Sequence, residues 1–180
     1  MIEALCVAAL LSVPHAPSEP NARALAEVVT VAALDRPLWP VVTEIAPTSP
    51  EVAATALLLL SIAYHEGAAD PRVTSCLIRG NDDTVTAFQL LGRVSLAGYS
   101  KSELCASPQL AAYAGLRVLE LQRNRCPRCG VTPWVAGYAS GSMGTVTKPA
   151  REIVGIFWRF ATRSGLDISG AVPRWKDGKP

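Results

Sequence analysis

The sequence predicts a mainly α-helical domain carrying one small β-hairpin, and three observations predict it. Of the 180 residues, 49% are hydrophobic, and Ala, Leu and Val outnumber the aromatics, which make up 6%; that balance favours helices over sheets. An almost unbroken apolar run, Val52 to Ala63, follows the helix-opening triplet Ser49-Pro50-Glu51. Two β-prone stretches, Val73 to Ile78 and Thr84 to Leu90, flank the polar turn Gly80-Asn81-Asp82-Asp83.

The apolar run organises the chain. Ser49 suits a helix N-cap, Pro50 the first turn, and Glu51 complements the positive end of the helix dipole. A helix that is apolar on all sides belongs in the middle of a core. Gly67 supplies the stop, which leaves Glu66 at the C-terminal end of a buried helix. Burial and the negative end of the dipole both disfavour a charged carboxylate there, an environment suited to a general acid.

The other elements follow in chain order. Met1 to Val13 reads as a short amphipathic helix ended by Pro14, and residues 14–20 as a stiff connector. Asn21 caps a second helix with Leu25, Val28, Val29 and Ala32 on one side. Prolines at 37, 40, 47 and 50 make an extended loop, which Trp39 anchors to the body. Asp70 caps the turn before the hairpin, and Gly92 to Leu104 is a loop with one helical turn. Ser107-Pro108 opens a helix with Leu110, Ala114, Val118 and Leu121 on one face. Thr132-Pro133 starts a short helix carrying Trp134 and Tyr138, and Pro149 to Arg163 forms the last, with Ile153, Ile156, Phe157 and Phe160 inward. The chain thus divides into an N-terminal extension packed on the body (residues 1–48), a main domain (49–165) and a tail (166–180).

Composition limits the partners. A net charge of +2 is too small to argue for a nucleic-acid partner. Met1 to Ser12 is apolar but holds Glu3 and lacks a basic leader, so it is a poor signal peptide, and neither it nor Val52–Ala63 is long enough for stable membrane insertion. Of the five cysteines, Cys76, Cys105, Cys126 and Cys129 lie in the second half, and at least one disulfide is expected among them. A lone Cys126-Pro127-Arg128-Cys129 without a second such pair is weak evidence for zinc, so no metal and no cofactor is expected.

The order of three motifs is informative. A buried helix ends in His65-Glu66, Thr86-Ala87-Phe88-Gln89 follows, and a later helix holds Tyr138-Ala139-Ser140-Gly141. This succession resembles the lysozyme-like superfamily, in the branch of soluble lytic transglycosylases and goose-type and phage lysozymes. The resemblance spans Val52 to Phe160 at the level of motifs. It matches Glu66 to the family's catalytic acid, Gln89 to the Gln of the "GLMQ"-like segment, and Tyr138 and Gly141 to the "YNAG"-like segment. Thr86 or Ala87 stands where the second motif normally has Gly, and Ala-Ser stands where the third commonly has Asn-Ala.

The resemblance implies a lysozyme-like α+β fold and cleavage of the β-1,4 link between N-acetylmuramic acid and N-acetylglucosamine in peptidoglycan glycan strands. Glu66 is then the proton donor. A lytic transglycosylase route needs no second carboxylate, because the sugar's own 6-hydroxyl closes a 1,6-anhydro ring. A hydrolytic route needs a second acid, for which Asp82 or Asp83 is the candidate. Gln89, Tyr138 and Gly141 are the expected substrate-binding residues. The site of action is the bacterial cell wall, reached as a phage lysin or within a virion or other delivery complex. Cleavage of a related polymer such as chitin, and a catalytically inactive structural or wall-binding protein, are the alternatives.

Overall fold

The structure, a computed structural model, describes residues 1–40, 49–67, 70–74, 76–77, 86, 88–89, 98–166, 168 and 172. Helix α1 (Ile2–Leu11) and helix α2 (Glu19–Asp35) precede the central helix α3 (Pro50–His65). The short α4 (Pro71–Thr74) and α5 (Lys101–Ala106) follow, and then α6 (Pro108–Arg125), α7 (Val131–Ser140) and α8 (Lys148–Arg163).

Helix α3 behaves as its sequence requires. Every residue from Val52 to Ala63 is buried, because no face of this segment is polar enough to meet water. It packs against α2 and α8, and also against α1 and α6. Its polar groups are satisfied within the helix and by a neighbour. Ser61 Oγ donates to Leu57 O at 2.6 Å, while Thr55 Oγ1 donates to Glu51 O and accepts from Leu38 N–H, both at 2.8 Å. Ser49 takes the N-cap position in an extended conformation, but its hydroxyl does not close the cap.

Helix α8 solves the same problem differently. Ile153, Val154, Ile156, Phe157 and Phe160 form its buried stripe, with Arg151, Glu152 and Arg159 outside. Phe157 stacks on Trp39 at a centroid distance of 6.3 Å, and Trp39 also meets Trp134 at 6.0 Å. Trp39 is therefore core, and α1 and α2 share one continuous hydrophobic cluster with α3, α6, α7 and α8. Helix α2 begins three residues earlier than the sequence suggests, with Ser18 rather than Asn21 as N-cap and Pro20 in the first turn. Helix α6 turns a different face inward. The expected Ala114 is buried with Ala111, Ala112, Gly115, Leu116 and Leu119, whereas Leu110, Val118 and Leu121 are half-buried, because its small residues permit the closest approach to neighbours.

The β-hairpin is corrected. Among the described residues there is no strand, and the expected lysozyme-like α+β architecture gives way to an all-helical one. Val73 lies in α4, at the start of what the sequence suggested was a strand. Asp70 drives this turn: its Oδ1 accepts Arg72 N–H at 2.9 Å, and its carboxylate pairs with the Arg72 guanidinium at 2.6 Å. Cys76, Thr86 and Gln89 have φ of 59°, 69° and 45°, left-handed values that no strand ladder uses. Local β-propensity yields here to tertiary ties: a Cys76–Cys105 disulfide to α5 and the packing of Phe88 on α6. Asp82 and Asp83 lie outside the described residues.

A second disulfide joins Cys126 to Cys129 between α6 and α7, and Cys6 stays reduced and buried, its thiol pushed up to about 12 chiefly by desolvation. The two crosslinks differ in weight. Cys76 and Cys105 are 29 residues apart in sequence, and closing a loop of that length removes unfolded-state freedom equivalent to about 3–4 kcal/mol on the chain-entropy model. The tight Cys126–Cys129 loop, with a separation of 3, constrains the unfolded chain far less.

Candidate active site at the end of the central helix

Glu66 is the residue on which α3 ends. Its backbone N–H still donates to Ile62 O at 3.0 Å, but its own φ of −83° and ψ of 4° leave the regular helix. Gly67 then takes φ +86°. A Cβ at Gly67 would meet nothing within 4 Å, so the glycine answers a conformational need rather than a steric one.

The carboxylate is not sealed in apolar surroundings. Its side chain keeps 26% of its exposure, and Oε1 lies 3.1 Å from His65 Nδ1. Adjacent positions within a helix do not face each other, so helical spacing offers no reason to pair these two. The pairing arises because Glu66 is already past the last helical residue. On its other side the same imidazole places Nε2 3.2 Å from Glu152 Oε2 on α8. Lys148 Nζ, one turn earlier on α8, stands 3.7 Å from Glu152 Oε1. The result is a chain of alternating charge, Glu66–His65–Glu152–Lys148.

The electrostatics follow from these contacts. The Glu66 hydrogen bond, with help from Glu152, lifts His65 above the usual imidazole value against an opposing effect of burial. The His65 contact, with Lys148 adding to it, holds the Glu152 carboxyl below the usual carboxylate range.

Tyr138 stands one turn beyond Trp134 on α7. Its hydroxyl donates to Phe88 O at 2.6 Å. Burial first, and the nearby Glu66 charge second, push its phenol far above the ordinary value, so it works as a neutral donor. Phe88 itself is buried against α6: a Cβ on Gly115 would stand 3.2 Å from Phe88 Cδ1. The Phe88 and Gln89 N–H groups turn back onto Thr86, at 3.3 Å to its Oγ1 and 3.1 Å to its carbonyl. Tyr138 and Gly115 thereby fix the turn that carries the half-buried Gln89, and the charge of Glu66 reaches the same phenol.

The sequence-derived candidates therefore separate. Tyr138 donates to Phe88 in the turn that holds Gln89, and the Glu66 charge acts on the same phenol. Gly141 ends α7 in a left-handed conformation, φ +76°, with its N–H bonded to Gly137 O at 2.9 Å, which accounts for a glycine there. Sequence reasoning missed Glu152. It is one polar residue among several on the outer face of α8, and nothing local in the chain connects it to position 65.

Among the described residues no group of three His, Cys, Asp or Glu side chains is arranged to hold a metal. The CxxC pair is bonded to itself, so it offers no thiolates. No described helix is long and apolar enough to cross a membrane. No protein-family model, curated protein or solved structure matches the chain.

Proposed function

We propose that this protein cleaves the glycan strands of peptidoglycan at the β-1,4 link between N-acetylmuramic acid and N-acetylglucosamine, with Glu66 as proton donor. The observation that carries the reading is a partly exposed carboxyl group, Glu66, where the buried helix α3 ends, with its charge acting on the Tyr138 phenol that is bonded to Phe88 next to Gln89. Supporting it is the order of three motifs in the chain, His65-Glu66, Thr86 to Gln89 and Tyr138 to Gly141. Their succession is the one that resembles lytic transglycosylases and goose-type and phage lysozymes; the fold expected from that resemblance is not retained.

The chemistry asks for one proton in and one proton out. Glu66 gives a proton to the glycosidic oxygen as the C–O bond breaks and positive charge grows on the sugar ring. The carboxylate left behind lies 3.1 Å from His65 Nδ1. It then recovers a proton from the nucleophile, either the sugar's 6-hydroxyl, which closes an anhydro ring, or a water molecule. Asp82 and Asp83 remain the proposed second acids of the hydrolytic route, and mass analysis of product ends separates the two routes.

A wall-binding protein without turnover is the competing reading, and the altered motifs favour it: Thr86 or Ala87 stands where the resembled family has Gly, and Ala139-Ser140 where it commonly has Asn-Ala. The test is turbidity clearing of purified peptidoglycan by wild type and Glu66→Gln. Clearing by wild type that falls at least ~10²-fold in the folded variant, the scale of a lost general acid, supports the enzyme. Wall binding without clearing by the wild type sinks it.

A further inference from the structure

We propose that His65 is a positioning residue that bridges Glu66 to Glu152 and exchanges a proton with Glu66, so that one mobile proton is shared between the two residues on which α3 ends. The catalytic consequence rests on the glycan-cleavage reading above. The bridge itself rests on geometry alone.

An ionised carboxylate only accepts hydrogen bonds, whereas a neutral imidazole has one N–H and one lone pair. His65 faces a carboxylate oxygen on both sides, Glu66 Oε1 at 3.1 Å from Nδ1 and Glu152 Oε2 at 3.2 Å from Nε2. Two ionised partners require two N–H groups, which makes the ring an imidazolium. If the ring is neutral, its Nε2–H goes to Glu152, and the contact with Glu66 survives only when Glu66 carries the proton and donates it to Nδ1. The two states differ by the position of a single proton between Nδ1 and Oε1. In the second state Glu66 is a neutral carboxylic acid, ready to protonate a leaving oxygen. After that transfer Glu66 is an ionised acceptor, and once it regains a proton from the nucleophile the cycle closes without net change.

Glu152 has the role of holding the ring. It lies on α8, and its other oxygen faces Lys148 Nζ at 3.7 Å, which favours its ionised form. Among the described residues, the groups that act on the bridge are these two carboxylates, Lys148 through Glu152, and the Tyr138 phenol through Glu66. His65 keeps 19% of its side-chain exposure, so the ring is shielded yet open to solvent protons.

The experiment combines NMR titration of the imidazole with activity profiles. The full chain holds two histidines, and the His65 signal is the one lost in His65→Asn. In wild type its midpoint should stand above that measured in Glu66→Gln and in Glu152→Gln, by an amount that each single variant reduces. On peptidoglycan, Glu152→Gln should lower kcat roughly tenfold, less than the ~10² or more of a lost general acid, leave KM unchanged, and move the same limb of the pH profile in step with the NMR midpoint. A His65 midpoint that neither variant moves overturns the bridge. A bridge seen by NMR in a protein that clears no peptidoglycan sinks the glycan reading and leaves the bridge standing.

Discussion

Helices α3 and α8 flank the same site and reach their burial by opposite routes. Helix α3 is apolar on every side and buried from Val52 to Ala63. Helix α8 buries a single stripe and leaves Arg151, Glu152 and Arg159 in water. The difference decides what each can contribute. A helix with no polar face presents functional groups only where it ends, and α3 ends in His65 and Glu66. An amphipathic helix offers groups along its length, and α8 lends Glu152 and Lys148 from its outer face. The chain of charges forms where the end of one helix meets the flank of the other.

The comparison breaks most visibly in the core. Phe157→Ala on α8 is expected to cost about 3–5 kcal/mol, and Leu59→Ala on α3 about 2–5 kcal/mol, from lost burial plus the cavity left behind. Arg159→Ala, on the exposed side of α8, should stay within about 0.5 kcal/mol. Urea unfolding of the three variants checks this. An α3 position between 52 and 63 as tolerant as Arg159 would end the contrast.

A smaller effect is expected at the contact that ties α7 to the Gln89 turn. Tyr138→Phe leaves Phe88 O without its donor, at about 1–3 kcal/mol for an unsatisfied buried group. It should also lower clearing activity, because the turn is no longer fixed beside Glu66. Unfolding midpoints and clearing rates measured on the same sample test both parts. Full activity in a destabilised variant would separate the turn from the chemistry.

The smallest effect is the pH dependence of stability. His65 stands above the ordinary imidazole value of about 6.5 in the folded protein. Its stabilising contribution is therefore full below that unfolded value and is lost as pH rises through the folded one. As pH rises from about 6.5 through the folded value, wild type should lose stability relative to His65→Asn, with a slope no steeper than ~1.4 kcal/mol per pH unit for one proton. Urea midpoints across that range give the difference. A His65→Asn curve parallel to wild type would show that the two carboxylates do not hold the ring.

Much of the helical frame was legible. The Ser49-Pro50-Glu51 and Ser107-Pro108 openings, the apolar run of α3 and the 3.6-residue stripe of α8 are local signals, and the structure places helices where they point. The hairpin misled because Val, Thr and Phe favour strands on average, while here Phe88 packs on α6 and Cys76 is bonded to α5. Periodicity also named the wrong edge of α6, since Ala111 and Gly115 are inward for closeness rather than hydrophobicity. In the site, the position of Glu66 could be read from the end of an apolar run. Its contact with His65 depends on one residue leaving helical geometry, and the reach of His65 to Glu152 spans 87 positions of chain, which no local pattern encodes.

The Cys76–Cys105 bond has a topological consequence. With the backbone it makes a covalent ring, and Asp82, Asp83 and the Gln89 turn all belong to that ring while Glu66 lies just outside it. A single cut of the chain within the ring would leave both pieces joined as one molecule under oxidising conditions. The central helix, by contrast, carries no such covalent link.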